Sequence, residues 1–231
     1  MTDRHKTPII RDLIVNRMTG QAIEDRSFEI IDQWEGRSRF SDDEWHVVRR
    51  LVHTTADFGL ADLIRFSSSA IDSGSAAMRE GCNIYADSNM IRAGLSLARL
   101  KDVSKDFSPD RILCHVADPD VAETAEREGL PRSLFAVRKA AEKLQGAIAV
   151  IGNAPVALME LNRLIMEAAV QPALVIGMPV GFVHVVESKE ELMQLDVPYI
   201  TIEGRRGGSP LAVSVVHALC AVAGSRMEAG T

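Results

Sequence analysis

Residues 147–176, AIAVIGNAPVALMELNRLIMEAAVQPALVI, decide the fold. A five-residue apolar run breaks at Gly152-Asn153, Pro155 opens a stretch with the three- and four-residue apolar spacing of a helix, and a second apolar run follows at 173–176. Proline suits the first helical position because the N–H it lacks has no partner there. Strands that are apolar throughout belong in a sheet covered on both faces, and a helical connection joins parallel strands. Working outward, similar short runs stand at 82–86, 112–116 and 199–202, and helix patterns fill 120–128, 133–144, 188–195 and 210–222. The pattern predicts an α/β fold, a doubly wound and mostly parallel five-stranded sheet, preceded by a helical N-terminal portion.

Within that portion, Ser41-Asp42-Asp43-Glu44 reads as a capping box opening a helix on which Trp45, Val48, Leu51 and Val52 share a face. His53 stands near its end. Residues 67–78 are rich in Ser and Ala and stop at Gly81, so a closely packed helix is expected there, against either its own subunit or a partner. No repeat, low-complexity segment or linker interrupts 1–231, which predicts a single domain with short flexible ends at 1–8 and 225–231.

A chain of 231 residues, 46% hydrophobic and 25% charged, has the balance of a globular protein that can bury a core without disulfides. Its net charge of −6 provides no global field for nucleic acid or an anionic membrane, and 5% aromatics leave few stacking platforms for bases. Cys82, Cys114 and Cys220 lack CxxC spacing and read as reduced core thiols; with no long uninterrupted apolar run, the expectation is a cytoplasmic protein. His5, His46, His115, His184 and His217 show no ligand spacing, so no metal site and no cofactor are expected.

Ligands of such sheets bind beyond the carboxyl ends of the strands, which singles out Asp87, Asp118, Gly152-Asn153, Gly177-Met178-Pro179 and Glu203-Gly204-Arg205. The segment Gly204-Arg205-Arg206-Gly207-Gly208-Ser209-Pro210 reads either as an anion site at a helix N-terminus or as a tight turn; the order of a P-loop is absent. Arg206 is expected to face solvent more than Arg205. Asn153 could orient a ligand or satisfy turn backbone, and Arg132-Ser133 could bind an anion or be a surface arginine beside a helix cap. His53, followed by Thr54, Thr55 and Asp57, is open to a catalytic or a structural reading.

Taken together, Glu24-x-x-Ser27-Phe28-x-Ile30-Ile31, Val52-His53, Gly81-x-x-Ile84-x-x-Asp87-x-x-Met90, Arg132-Ser133, IGNAP at 151–155, PALVIGMPVGFV at 172–183 with Glu187-Ser188-Lys189, and GRRGGS at 204–209 resemble the precorrin-8X methylmutase family. The resemblance covers about 16–222. It implies a Rossmann-like fold, a homodimer with active sites near the subunit interface, and an isomerase of cobalamin biosynthesis. The reaction implied moves a methyl group from C-11 to C-12 of precorrin-8X or cobalt-precorrin-8, giving hydrogenobyrinic or cobyrinic acid. The family's catalytic histidine matches His53. Substrate contacts are expected from Ser27, Asp87, Arg132, Ser133, Asn153, Met178, Pro179, Arg205, Gly207, Gly208 and Ser209, because a corrin precursor is an apolar disc rimmed by carboxylates. Pro131, Val156 and His217 depart from the family pattern. A non-catalytic corrinoid carrier and a nucleotide-binding α/β protein are the competing readings.

Overall fold

The structure, a computed structural model, describes residues 8–229. The chain separates into two compact units, Met1–Phe40 and Ser41–Thr231.

In the first unit, α1 (Ile10–Val15) and α2 (Gly20–Asp32) precede a short 3-10 segment, Glu35–Arg39. Thr19 starts α2, its hydroxyl accepting from the amide of Ala22 at 3.1 Å.

In the second unit the order is α3 (Asp42–Thr55), β1 (Ile64–Phe66), α4 (Ala70–Arg79), β2 (Ile84–Ala86), α5 (Asn89–Gly94), α6 (Leu97–Val103), β3 (Ile112–Leu113), α7 (Pro119–Glu128) and α8 (Arg132–Ala140). It continues with β4 (Ile148–Ile151), α9 (Pro155–Met166), β5 (Leu174–Gly177), α10 (Val185–Leu192), β6 (Tyr199–Ile202) and α11 (Ser209–Ala229). The sheet has six strands, in the order β1-β6-β5-β4-β2-β3. Five are the parallel strands expected; β1, antiparallel to β6, corrects the count of five. Three residues in a helical context were too short to read as a strand, and an antiparallel edge strand needs no long apolar run. Chain order reverses between β2 and β4, which makes the carboxyl ends of those two strands the topological switch point.

Helices cover both faces. Tyr85, Ala149, Ile151 and Val175 pack with α8, α9 and α10, burying Leu158, Leu161 and Leu192 among them. On the other face α4 and α11 lie against the sheet, and Gly74 sits so close that a Cβ there would be 2.8 Å from Leu174 Cδ2. The small residues of α4 thus serve packing inside the subunit: Ala70, Gly74, Ser75 and Ala77 are buried against β5 and α11. α11 is long and apolar enough to cross a membrane, yet over half of that span is buried, against α3, α4, α5 and α6. It is helical through Ala229, which includes most of the end expected to be flexible from 225; of the other expected flexible end, 1–7 lie outside the described residues. The short helices α5 and α6 were not anticipated.

Candidate active site

The capping box forms as read, Glu44 N donating to Ser41 Oγ at 3.3 Å and Ser41 N to Glu44 Oε2 at 2.9 Å. Trp45, Val48, Leu51 and Val52 are buried, which fixes α3 and leaves half-buried His53 in its last turn. Ala56 ends the helix at φ 53°, a left-handed conformation unusual for a residue with a side chain. The polar cluster after His53 is fully used: Thr54 Oγ1 lies 2.7 Å from Ser214 Oγ on α11, Thr55 Oγ1 donates to Leu51 O at 2.9 Å, and Asp57 Oδ1 accepts from Gly59 N at 2.8 Å.

The other carboxylate oxygen of Asp57 accepts from the guanidinium of Arg206. Arg206 is exposed, as expected, and its guanidinium also joins the loop after β6 to the end of α3. This partner, together with the Gly59 amide, holds the Asp57 carboxyl below the usual carboxylate range.

That loop, GRRGGS, is fastened on several sides. Gly208 N donates to Met178 O at 2.9 Å, and a Cβ at Gly207 would overlap the carbonyl oxygens of Met178 and Pro179, so glycine is required there by close approach. Ser209 Oγ lies 3.0 Å from Ser88 Oγ, which also caps α5 by accepting from Ile91 N. Lys189, 1% exposed, donates from Nζ to Gly204 O at 3.0 Å and Arg206 O at 2.6 Å, and burial pulls its ammonium down to about 8. Arg205 is exposed, its guanidinium 5.9 Å from the centroid of the Phe182 ring.

At the switch point, buried Asp87 spends both carboxylate oxygens on backbone: Oδ1 accepts from Gly152 N at 3.0 Å, Oδ2 from Asn153 N at 3.0 Å and Ala154 N at 2.7 Å. Burial raises its pKa, the three amides acting in the opposite sense. Asp87 thus holds the turn that exposes the Asn153 side chain. Met178 and Pro179 are buried, so they present backbone rather than side-chain surface; the exposed apolar groups of the segment are Val180, Phe182 and Val183.

Arg132 is exposed at the start of α8, and Ser133 is buried in its first turn; Pro131 takes the cap position expected of Ser133. Lys139 binds Asp118 and Asp120, both at 2.7 Å, placing Arg132 seven residues, or about 10 Å, along α8 from that tie. Ser27 lies on α2 in the first unit, its hydroxyl donating to Ile23 O at 2.8 Å. His217 has a local task, Nε2 accepting from Ser96 N at 3.1 Å.

Between the end of α3, α5 and the start of α11 lies a cleft of about 310 Å³, lined by Thr54, Met90, Gly94, Ser209, Pro210 and Ser214. The structure thus brings the carboxyl end of α3, which bears His53, together with the loop of Arg205 to Ser209. Sequence reading missed Lys189, Ser88 and Ser214 as parts of this arrangement. Lys189 alone carried a signal, as the last residue of the Glu187-Ser188-Lys189 segment.

The profile of the precorrin-8X methylmutase family matches residues 22–222. The chain belongs to the precorrin-8X methylmutase family. It is 42% identical over 217 residues to the cobalt-precorrin-8 methylmutase of Leptospira interrogans, covering 90% of this chain and 96% of that one. It is 37% identical to the precorrin-8X methylmutase of Pseudomonas aeruginosa, over 87% of this chain and 94% of the other. The crystal structure of the Thermus thermophilus precorrin-8X methylmutase superposes with a TM-score of 0.81 at 43% identity, over 90% of this chain and 98% of that one. Methylmutase membership makes the chain an isomerase of cobalamin biosynthesis acting on a corrin precursor. The family match crosses both compact units.

Proposed function

We propose that the chain moves a methyl group from C-11 to C-12 of precorrin-8X or its cobalt form at the cleft beside His53, yielding hydrogenobyrinic or cobyrinic acid. One observation carries this reading: the carboxyl end of α3 is tied to the start of α11 by Thr54 and Ser214 and to the loop of Arg205 by Asp57 and Arg206. A proton-bearing imidazole and an arginine for carboxylates are thereby held in one assembly.

In the reaction, one carbon–carbon bond breaks at C-11 and another forms at C-12 of the same molecule, so no outside methyl or electron donor takes part. His53 gives or shares a proton with the macrocycle, and the fixed walls orient it. Arg205 and Arg132 bind rim carboxylates, with the Gly207–Ser209 backbone and the Asn153 side chain as neutral partners. Ser133 completes the proposed contacts. Asp87, Met178 and Pro179 serve through the backbone they support. Exposed Val180 and Phe182 supply apolar surface for the disc.

Among the described residues no three His, Cys, Asp or Glu gather as a metal group, and cobalt is taken as part of the substrate. Cobalt-precorrin-8 is the first substrate to test, since the 42% relative is named for it. A cleft of about 310 Å³ lies at the small end of ligand sites, which supports a homodimer in which a second copy completes the enclosure. Within it, the five parallel strands act as the Rossmann-like core, in a cytoplasmic enzyme of one functional domain.

An absorbance scan after adding a corrin precursor tests the activity. Many turnovers of the chromophore per protein are expected. Stoichiometric binding without conversion would make the protein a carrier, and no binding would remove the corrinoid reading.

A further inference from the structure

We propose that Lys189 is a positioning residue for the methylmutase reaction, its ammonium fixing the backbone on both sides of Arg205 so that this one guanidinium is presented to a substrate carboxylate. Three observations carry the inference. Lys189 is 1% exposed, yet the partners its Nζ meets are carbonyl oxygens, those of Gly204 and Arg206, at 3.0 and 2.6 Å. Those carbonyls flank Arg205, whose own carbonyl accepts from Gly181 N at 3.4 Å on the segment that bears Phe182. The neighbouring cation, Arg206, is already paired with Asp57 at the surface, so its guanidinium has a carboxylate of the protein itself as partner.

A buried cation with neutral partners is costly, because carbonyl dipoles repay less of its lost hydration than a carboxylate does. An apolar residue of the same volume would remove that cost but leave the Gly204 and Arg206 carbonyls without their shared donor. What the ammonium adds is direction: donors spread about one nitrogen reach two carbonyls two residues apart, which no apolar side chain and no single amide donor does. With Gly204 at φ 73° and Gly208 at φ 127°, the loop contains residues of high backbone freedom, and an external staple removes that freedom before ligand arrives. Burial draws the ammonium down to about 8.

The inference rests on the proposal that Arg205 binds a rim carboxylate, and the test separates the two. Affinity for cobyrinic acid and steady-state rates with cobalt-precorrin-8 are measured for the full chain and for Lys189→Met, Arg205→Ala and the double variant, with folding checked by circular dichroism. Lys189→Met is expected to weaken affinity about tenfold and raise KM with little change in kcat. Arg205→Ala is expected to weaken affinity as much or more, and the double variant to be no worse than Arg205→Ala, since the staple acts through that arginine. Unchanged affinity in Arg205→Ala would refute the rim contact itself. Weakened Arg205→Ala beside unchanged Lys189→Met, or additive losses in the double variant, would overturn the role of Lys189 while leaving the rim contact standing. If Lys189→Met does not fold, Lys189→Gln takes its place. Failure of both to fold would assign Lys189 to stability and also overturn the proposal.

Discussion

Arg206 donates to the carboxylate of Asp57, four residues beyond His53, so the arginine beside the proposed ligand arginine is an internal tie between loop and helix. The paired side chains are 49% and 36% exposed, so solvent screens the pair and its contribution to folding is small. Arg206→Ala and Asp57→Asn are each expected to lower kcat about tenfold, within the roughly hundredfold loss that a 1 Å misplacement produces. Steady-state kinetics of both single variants and the double variant check this; losses that multiply in the double variant would show that the two residues do not act as a pair.

His53→Ala is expected to abolish isomerisation and leave corrinoid binding within a few-fold of the original. A positioned acid contributes about 10²–10⁴ in rate, whereas binding is spread over many groups. His53→Gln, which keeps a donor without a titrating proton, should be nearly as slow. Near-normal turnover in either variant removes His53 from the chemistry.

For Arg205, the partial-rescue variant is the informative one. Arg205→Ala should weaken corrinoid affinity about ten- to a hundredfold, the worth of a charge-assisted hydrogen bond of roughly 1.5–3 kcal/mol. Arg205→Lys should recover part of it, because an ammonium lacks the fork of two parallel donors. Full recovery by lysine would mean that charge alone is recognised.

Asp87 bears on stability. Asp87→Asn puts an NH2 group against backbone amides and should cost about 1.5–3 kcal/mol. Because burial raises its folded pKa above the ordinary 3.8, the folded state holds the proton more tightly than the unfolded chain does. The contribution of Asp87 is therefore complete below pH 3.8 and declines as pH rises through the elevated value. Urea unfolding from about pH 4 to 7 should show the advantage of the original over Asp87→Asn shrinking with pH. An advantage that grows would reverse the assignment.

What was legible in the sequence followed the apolar pattern. β4, α9 and β5 announce themselves because buried parallel strands are apolar on both faces and Pro155 marks a helix start; the capping box marks α3. β1 was hidden, since Ile64-Arg65-Phe66 is three residues whose strand identity comes from pairing with β6. At the site, glycines and arginines showed that a loop after β6 was special. Which arginine pairs with Asp57 was not readable, because Asp57 and Arg206 lie 149 residues apart. Asp87 was read as a ligand group for the same reason: its three amide partners become visible when β2 and β4 lie side by side.

The reversed edge strand settles where the helical portion meets the sheet. Ile64, the first residue of β1, lies opposite Ile202, the last of β6, and Glu203 N donates to Leu63 O at 2.9 Å. A β1 parallel to its neighbours would have taken in its chain at the far rim, about 10 Å away across three residues. Running backwards, it receives α3 at the rim where the parallel strands end. The helix that ends in His53 is joined to the carboxyl rim by a splice at the margin of the sheet, and the winding of the five parallel strands needs no alteration to admit it.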